Sequence, residues 1–187
     1  TLYTIESDAD NRYLKTESDG SASGVIYSKE FNANEFPKVR WKWRVENIYK
    51  KGDVKTKEGD DYPLRVYIAF KYDPEKANLM DRIKYNAAKL FYGYYPPHSA
   101  ISYIWSSKEY QENVFTSRYT DKAKMIILEQ GSANVGKWLT EEVNILEDYR
   151  SAFGSDPPST ATIVIMNDSD NTGEKAISFV DYIEVSR

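Results

Sequence analysis

The chain has 187 residues, which suits one domain with a substantial core. Its net charge of -4 at pH 7 excludes the basic surface on which nucleic-acid binding depends. Cysteine is absent and histidine occurs once, so thiolate and multi-histidine metal sites are excluded, and we predict neither metal nor cofactor.

Short strand-like runs separated by turn-rich segments follow one another along most of the chain. About ten short strands with few helices predict a mainly β protein, a two-sheet antiparallel β-sandwich. Because we see no linker or repeat, residues 1–187 are predicted to be one sandwich domain. The predicted strands are Leu2–Ser7, Arg12–Glu17, Gly24–Phe31, 40–45, 65–70, Ile101–Ser106, Ala123–Gln130, Trp138–Ile145, Thr160–Met166 and Ala176–Ser186.

The runs FPKVRWKWRVEN and YPLRVYIAF hold the strongest pattern in the chain. Successive side chains of a strand point to opposite faces, so Trp41 and Trp43 share the face opposite Arg44. The second run alternates in the same way and sets Arg65 and Tyr67 opposite its aliphatic residues. We predict two neighbouring strands, with the apolar residues inward and the arginines together on the outer side.

Two helices are predicted between the strands. Asp73 is a suitable N-cap, Pro74 suits the first helical position and Gly93 suits the end, so residues 74–92 read as an inserted amphipathic helix. A short helix is predicted at Glu147–Phe153. The apolar residues expected to pack the long helix against one sheet are Met80, Ile83, Ala87 and Leu90.

The predicted functional surface joins the outer side of this strand pair to a later strand, on which Trp138, Glu142 and Asn144 share one side. Aromatic rings beside forked arginine and carboxylate groups suit sugar recognition. The alternative is a structural salt bridge from either arginine to Glu142, contributing less than about 1 kcal/mol if exposed. The ligand-binding residues predicted to share one concave patch are Arg44, Arg65, Tyr67, Glu142 and Asn144, with Trp105 or Trp138 at its edge.

Other carboxylates are weaker candidates. Within the pairs Asp60-Asp61 and Glu141-Glu142, neighbours on a strand would point to opposite faces, so neither pair can act as a glycosidase unit. The segment 168–174 begins like a calcium loop, but its twelfth position is Phe179, which favours a turn.

A structural calcium that joins the first and last strands could use Glu6 and Asp181. Calcium takes six or more oxygen ligands, and two carboxylates do not supply them. We therefore expect calcium to be absent.

Three blocks together resemble the bacterial family of domain of unknown function 3047. They are RWKWRVEN with GDDYPLRVYIAF, then ISYIWSS, then WLTEEVNILEDYRSAFGSDPP with IVIMNDSDNTGEKAISFVDYIEVS. The resemblance covers the chain from about Arg12 to its end. It implies a jelly-roll sandwich similar to carbohydrate-binding modules and a periplasmic or extracellular location. It supplies no catalytic residue.

Three functions follow from these patterns. The first is a non-catalytic module that binds a glycan or the cell surface, with an oligo- or polysaccharide as partner. The second is a polysaccharide lyase in which Tyr67 is the base and arginine neutralises the substrate acid. The third is a structural domain that binds another protein. Nucleic acid is excluded by charge, and no apolar run is long enough to span a membrane.

Overall fold

The computed structural model describes residues 1–8, 11–75 and 77–187. Within them, twelve strands form two sheets and two helices lie between strands. In spatial order, the five-stranded sheet contains β1 (Leu2–Asp8), β2 (Asn11–Asp19), β12 (Lys175–Ser186), β5 (Lys38–Val45) and β10 (Leu139–Asn144). The seven-stranded sheet contains β3 (Ala22–Ile26), β11 (Thr160–Asp168), β6 (Arg65–Phe70), β7 (Ser99–Ser106), β9 (Ala123–Gln130) and β8 (Val114–Thr116), and β4 (Phe31–Asn32) also pairs with β11. The helices are α1 (Leu79–Tyr92) and α2 (Ile145–Phe153).

The jelly-roll-like sandwich is confirmed. The chain crosses repeatedly from one sheet to the other, as in the steps from β2 to β3, β5 to β6 and β9 to β10. One pair departs from the antiparallel prediction, since β7 and β9 run parallel. A parallel pair needs a long connection, and the segment between these strands provides one that includes β8.

The core lies between the sheets and is rich in aromatic residues. Trp41 and Trp43 of β5 are fully buried and pack edge to face, with ring centroids 5.6 Å apart. Trp43 also packs against Trp105 of the facing sheet at 5.9 Å, and Trp41 against Tyr103 at 5.4 Å. The strand parity read from the sequence therefore places the correct residues inward.

The predicted pairing of the two central strands is wrong. β5 lies in the five-stranded sheet and pairs with β10 and β12, while β6 lies in the seven-stranded sheet and pairs with β7 and β11. The loop between them, residues 46–64, is long enough to cross from one sheet to the other. Both strands still turn their apolar residues inward, so their outer faces point away from each other.

A second apolar cluster covers the outer side of the seven-stranded sheet. Val54 and Tyr62 of the connecting loop pack there on Ile104 of β7 and on Met125 and Ile127 of β9. The hydrogen bonds that anchor this loop include one from Tyr110 Oη to Asp53 at 2.8 Å. The connecting loop therefore buries part of the outer face of the seven-stranded sheet.

The long helix differs from its prediction in length and in orientation. It begins at Leu79, because Asn78 accepts the Asp81 amide at 2.8 Å, whereas Asp73 accepts the Glu75 amide in a separate turn. The predicted packing of its apolar residues on a sheet is wrong. Met80, Ile83, Ala87 and Leu90 are all exposed, whereas Tyr85 of the same helix is buried.

Candidate functional site

The predicted patch is not formed, since its two arginines lie on opposite sheets. Arg44 belongs to β5 of the five-stranded sheet and Arg65 to β6 of the seven-stranded sheet. Each points away from the core, so the whole sandwich separates them. The expectation that Arg44, Arg65 and Tyr67 share a concave patch is therefore wrong in its geometry.

Two more of the seven predicted residues have structural contacts instead. Trp105 is fully buried between the sheets and donates from Nε1 to the Gly131 carbonyl at 3.2 Å. Asn144 is the N-cap of α2, where its Oδ1 accepts the amides of Leu146 and Glu147 at 3.1 and 3.3 Å. Neither side chain lies at the edge of a binding surface.

Arg65 lies in a buried polar cluster at the edge of the covering loop. Its guanidinium forms an ion pair with Asp168, and both side chains are more than nine-tenths buried. The rings of Tyr62 and Tyr67 lie 4.8 and 5.4 Å from the guanidinium carbon. A charge this deeply buried requires a partner, so Arg65 and Asp168 hold each other in place.

Four aspartates that the sequence presented as two separate motifs meet near this arginine. The carboxylate oxygens of Asp61, Asp168 and Asp170 lie within 4.8 Å of one another. Asp60 lies beside them, where burial raises the pKa of its carboxyl despite the opposing charge of Arg65. Tyr62 Oη donates to Asp60 at 2.9 Å.

Among the described residues, Asp61, Asp168 and Asp170 are close enough together to offer oxygen ligands to one divalent cation. Much of their hydrogen-bonding capacity is already used. Asp61 accepts the Thr172 amide at 2.6 Å, Asp168 accepts the Tyr62 amide at 3.2 Å, and Arg65 takes the other oxygen of Asp168. The cluster thus ties the loop after β11 to the start of β6.

The carboxylates considered for a calcium between the first and last strands have other partners. Glu6 forms an ion pair with Lys15 at 3.3 Å, and Asp181 forms one with Lys42 at 3.2 Å. Lysine already neutralises each carboxylate.

The outer face of the five-stranded sheet carries the second cluster of aromatic and charged residues. Tyr13, Trp138 and Phe179 form an edge-to-face group, hereafter the aromatic platform, in which Tyr13 lies 5.6 Å from each of the other two rings. Tyr13 and Trp138 are half-buried, and Phe179 is buried beneath them. Strands β2, β12 and the approach to β10 supply one ring each.

Arg44 lies against this platform. Its guanidinium carbon is 4.4 Å from the Phe179 ring and 5.4 Å from the Trp138 ring. One terminal nitrogen pairs with Glu46 at 2.5 Å, and the buried Nε has no hydrogen-bond partner among the described residues. The guanidinium is therefore partly exposed beside the half-buried Trp138 ring, although its Nε is itself buried.

Two further residues on this face complete its polar character. Glu142 is exposed and lies opposite Arg40 in the β10–β5 register. The ammonium of Lys42 lies 5.2 Å from the Trp138 ring. Of the seven predicted residues, Arg44, Trp138 and Glu142 thus share one face, and the predicted salt bridge to Glu142 is replaced by Arg44–Glu46 and Arg65–Asp168.

Tyr13 and Phe179 were missed by reasoning from the sequence. Tyr13 alternates with the inward-facing Leu14 and Thr16, a signal that could have placed it on the outer face. Phe179 carried no such signal, because an aromatic residue inside a strand with apolar residues on both faces reads as core.

An apolar groove of about 660 Å³ opens between β3 and β11 on one side and the last part of β12 on the other. None of the seven predicted residues lines it. Its lining includes Val25, Ile26, Phe31, Ile163, Ile183 and Val185.

A family model described as "Protein of unknown function (DUF3047)" matches residues 1–184. No curated protein matches the chain. Among solved structures, the family 11 xylanase from Neocallimastix patriciarum matches with a TM-score of 0.34 and 6% identity, over 98% of this chain and 94% of that one. A likeness this distant says nothing about activity.

Proposed function

The chain belongs to the DUF3047 family of proteins of unknown function, and we propose that it is a non-catalytic module that binds glycans on the outer face of its five-stranded sheet. The single observation that carries this proposal is the aromatic platform with Arg44 beside it. Two of its three rings are half-buried, and a sugar ring stacks on aromatic surfaces of this kind.

The charged groups of this face favour a ligand that bears both hydroxyl and carboxylate groups. The Arg44 side chain is about 29% exposed, and an arginine fork suits carboxylates through parallel hydrogen bonds. Lys42 lies beside the same tryptophan, while Glu142 can accept hydrogen bonds from hydroxyls. A polymer of neutral sugars and uronates matches this combination, and it would place the module in the periplasm or outside the cell.

The lyase alternative has weaker support. It requires an arginine that can neutralise a substrate acid next to a tyrosine base. The guanidinium carbon of Arg65 lies 5.4 Å from the Tyr67 ring, but the buried carboxylate of Asp168 already pairs with this arginine.

The test is a glycan array that includes neutral polysaccharides and uronate polymers, followed by titration of the best ligand. We expect Tyr13→Ala and Trp138→Ala to weaken binding by up to about tenfold each, since a ring contact contributes about 0.5–1.5 kcal/mol. The matched control is Tyr27→Ala, which removes an exposed tyrosine outside the platform.

Binding that survives both platform substitutions, with the fold intact, would refute the proposed site. The same samples are monitored for the ultraviolet absorbance of unsaturated sugar products. Formation of unsaturated products would show that the protein is a lyase and would refute the proposed non-catalytic function.

A further inference from the structure

Helix α1 presents its apolar face to solvent. Leu79, Met80, Ile83 and Leu90 expose between 59% and 91% of their surface. At 3.6 residues per turn these side chains lie on one arc of the helix, together with the exposed Ala87. Amphipathic helices of globular proteins normally turn such a face toward the core, so this helix is oriented in the reverse sense.

Aromatic contacts hold the helix in this orientation. On the side opposite the apolar arc, the Tyr85 ring stacks on Tyr72 with centroids 3.7 Å apart and planes within 2°. Tyr85 Oη donates to the Pro97 carbonyl at 3.1 Å. At one edge of the arc, Tyr95 Oη donates to Asn86 at 2.9 Å. The domain therefore fixes the polar and aromatic side of the helix and leaves the apolar side outward.

Positive charges flank the exposed arc on both sides. Helical spacing places Arg82 and Lys89 along one edge and Lys84 along the other. The acidic residue of the helix, Asp81, accepts a hydrogen bond from Asn78 in the N-terminal cap. A cationic rim around an apolar strip, in a chain whose net charge is -4, complements an anionic surface.

We propose that α1 docks the protein on the surface of an anionic membrane. The helix lies in the plane of the interface, with its apolar arc among the upper acyl chains and its cations among the lipid phosphates. No helix among the described residues has the length and apolar character to cross a bilayer, so the contact is a surface one. The inference is independent of glycan binding.

A second copy of the chain is a less suitable occupant. A helix of 14 residues is about 21 Å long, and one face of it is a narrow strip beside the roughly 800 Å² per partner of a standard interface. A symmetric pair would also bring the cations of one rim close to those of the other. An anionic membrane buries the apolar arc among its acyl chains and neutralises the flanking cations with its phosphates.

The experiment is co-sedimentation of the full chain with vesicles of equal parts phosphatidylcholine and phosphatidylglycerol, and with vesicles of phosphatidylcholine alone. We expect binding to the anionic vesicles that weakens as salt is raised, and at least tenfold weaker binding to the neutral ones. Ile83→Asp is expected to weaken binding at least tenfold. Lys84→Glu is expected to weaken binding to the anionic vesicles.

The matched control is Ile5→Asp, because Ile5 on β1 is as exposed as Ile83, at 58% against 59%. This variant should bind like the parent chain, and melting curves verify that both variants are folded. Failure of the parent chain to bind anionic vesicles, or unchanged binding of Ile83→Asp, overturns the proposal. So does a dimer in analytical ultracentrifugation that Ile83→Asp dissolves, since the occupant is then a second copy.

Discussion

Arg44 and Arg65 occupy similar positions in the sequence, each on a strand and each opposite apolar neighbours, yet their surroundings differ. Arg44 lies on an uncovered sheet face, about 29% exposed, against two aromatic rings. Arg65 is almost fully buried beside the covering loop and paired with Asp168. The same side chain can thus be available to a ligand on one sheet and a structural ion pair on the other, according to what covers the face.

The largest expected effect is the loss of stability in Arg65→Ala. Removing the arginine leaves the Asp168 carboxylate buried without its partner, so we expect a loss of about 3–5 kcal/mol in the free energy of unfolding. Denaturant titration measures it. The double variant Arg65→Met with Asp168→Asn should recover part of the loss, since Asp168 no longer carries an unpaired charge, while the buried Asp60 still lacks the nearby arginine. A loss no larger than that of Arg44→Ala would contradict the comparison.

Arg44→Ala should show the opposite behaviour. With its guanidinium partly open to water, we expect a stability change of about 1 kcal/mol or less. Glycan affinity should fall about tenfold, equivalent to about 1.4 kcal/mol, as measured by isothermal titration. Arg44→Lys keeps the charge without the fork and should recover only part of the affinity. Full affinity in Arg44→Ala would remove this arginine from the site.

An ionisable residue, Asp53, holds the loop that covers the seven-stranded sheet. Burial opposes ionisation of Asp53, but hydrogen bonds from Lys108, the Lys55 amide and Tyr110 outweigh it and lower its pKa to about 2. The ionised carboxylate therefore stabilises the fold at pH values above the pKa of Asp53 in the unfolded chain. This stabilisation is lost as the pH falls through about 2. Asp53→Asn should therefore cost about 1 kcal/mol at neutral pH.

The difference between Asp53→Asn and the parent chain should shrink as the pH is lowered toward the folded pKa. Unfolding curves over a pH series measure this difference. A gap that stays constant down to the acid limit would show that the charge of Asp53 does not anchor the loop.

The smallest effect on stability is expected at the helix. Since Ile83 is exposed, Ile83→Asp should change the free energy of unfolding by no more than about 0.5 kcal/mol. The core substitution Ile101→Ala, at a fully buried position, should cost about 2–5 kcal/mol. A large loss in Ile83→Asp would mean that the helix packs its apolar face on the domain in solution.

Local features of the sequence determined which residues face inward. Alternation along a strand is a property of the backbone, so Trp41, Trp43 and Ile68 could be placed in the core before any partner strand was known. Gly93 likewise predicted the end of α1, where it adopts a left-handed conformation with φ 81°. Such signals involve neighbours in the chain and need no knowledge of the rest of the fold.

The site residues could be predicted in part. Strand parity placed Arg44, Trp138 and Glu142 on outer faces, and pairing of β10 with β5 brought them to one sheet. Asp61 and Asp168 were visible only as separate acidic segments, because they lie far apart in the chain and meet through sheet pairing. Tyr13 needed the same long-range information to join the platform.

Only the tertiary structure decided what lies across each face. Alternation shows that a strand has an apolar side and a polar side, but it does not identify the sheet to which the strand belongs. The sequence therefore could not show that Arg44 and Arg65 lie on different sheets. Helical spacing states that α1 has an apolar face, but the Tyr72–Tyr85 stack turned that face to solvent. In each case the local pattern sets a direction, whereas burial depends on contacts between residues that are distant in sequence.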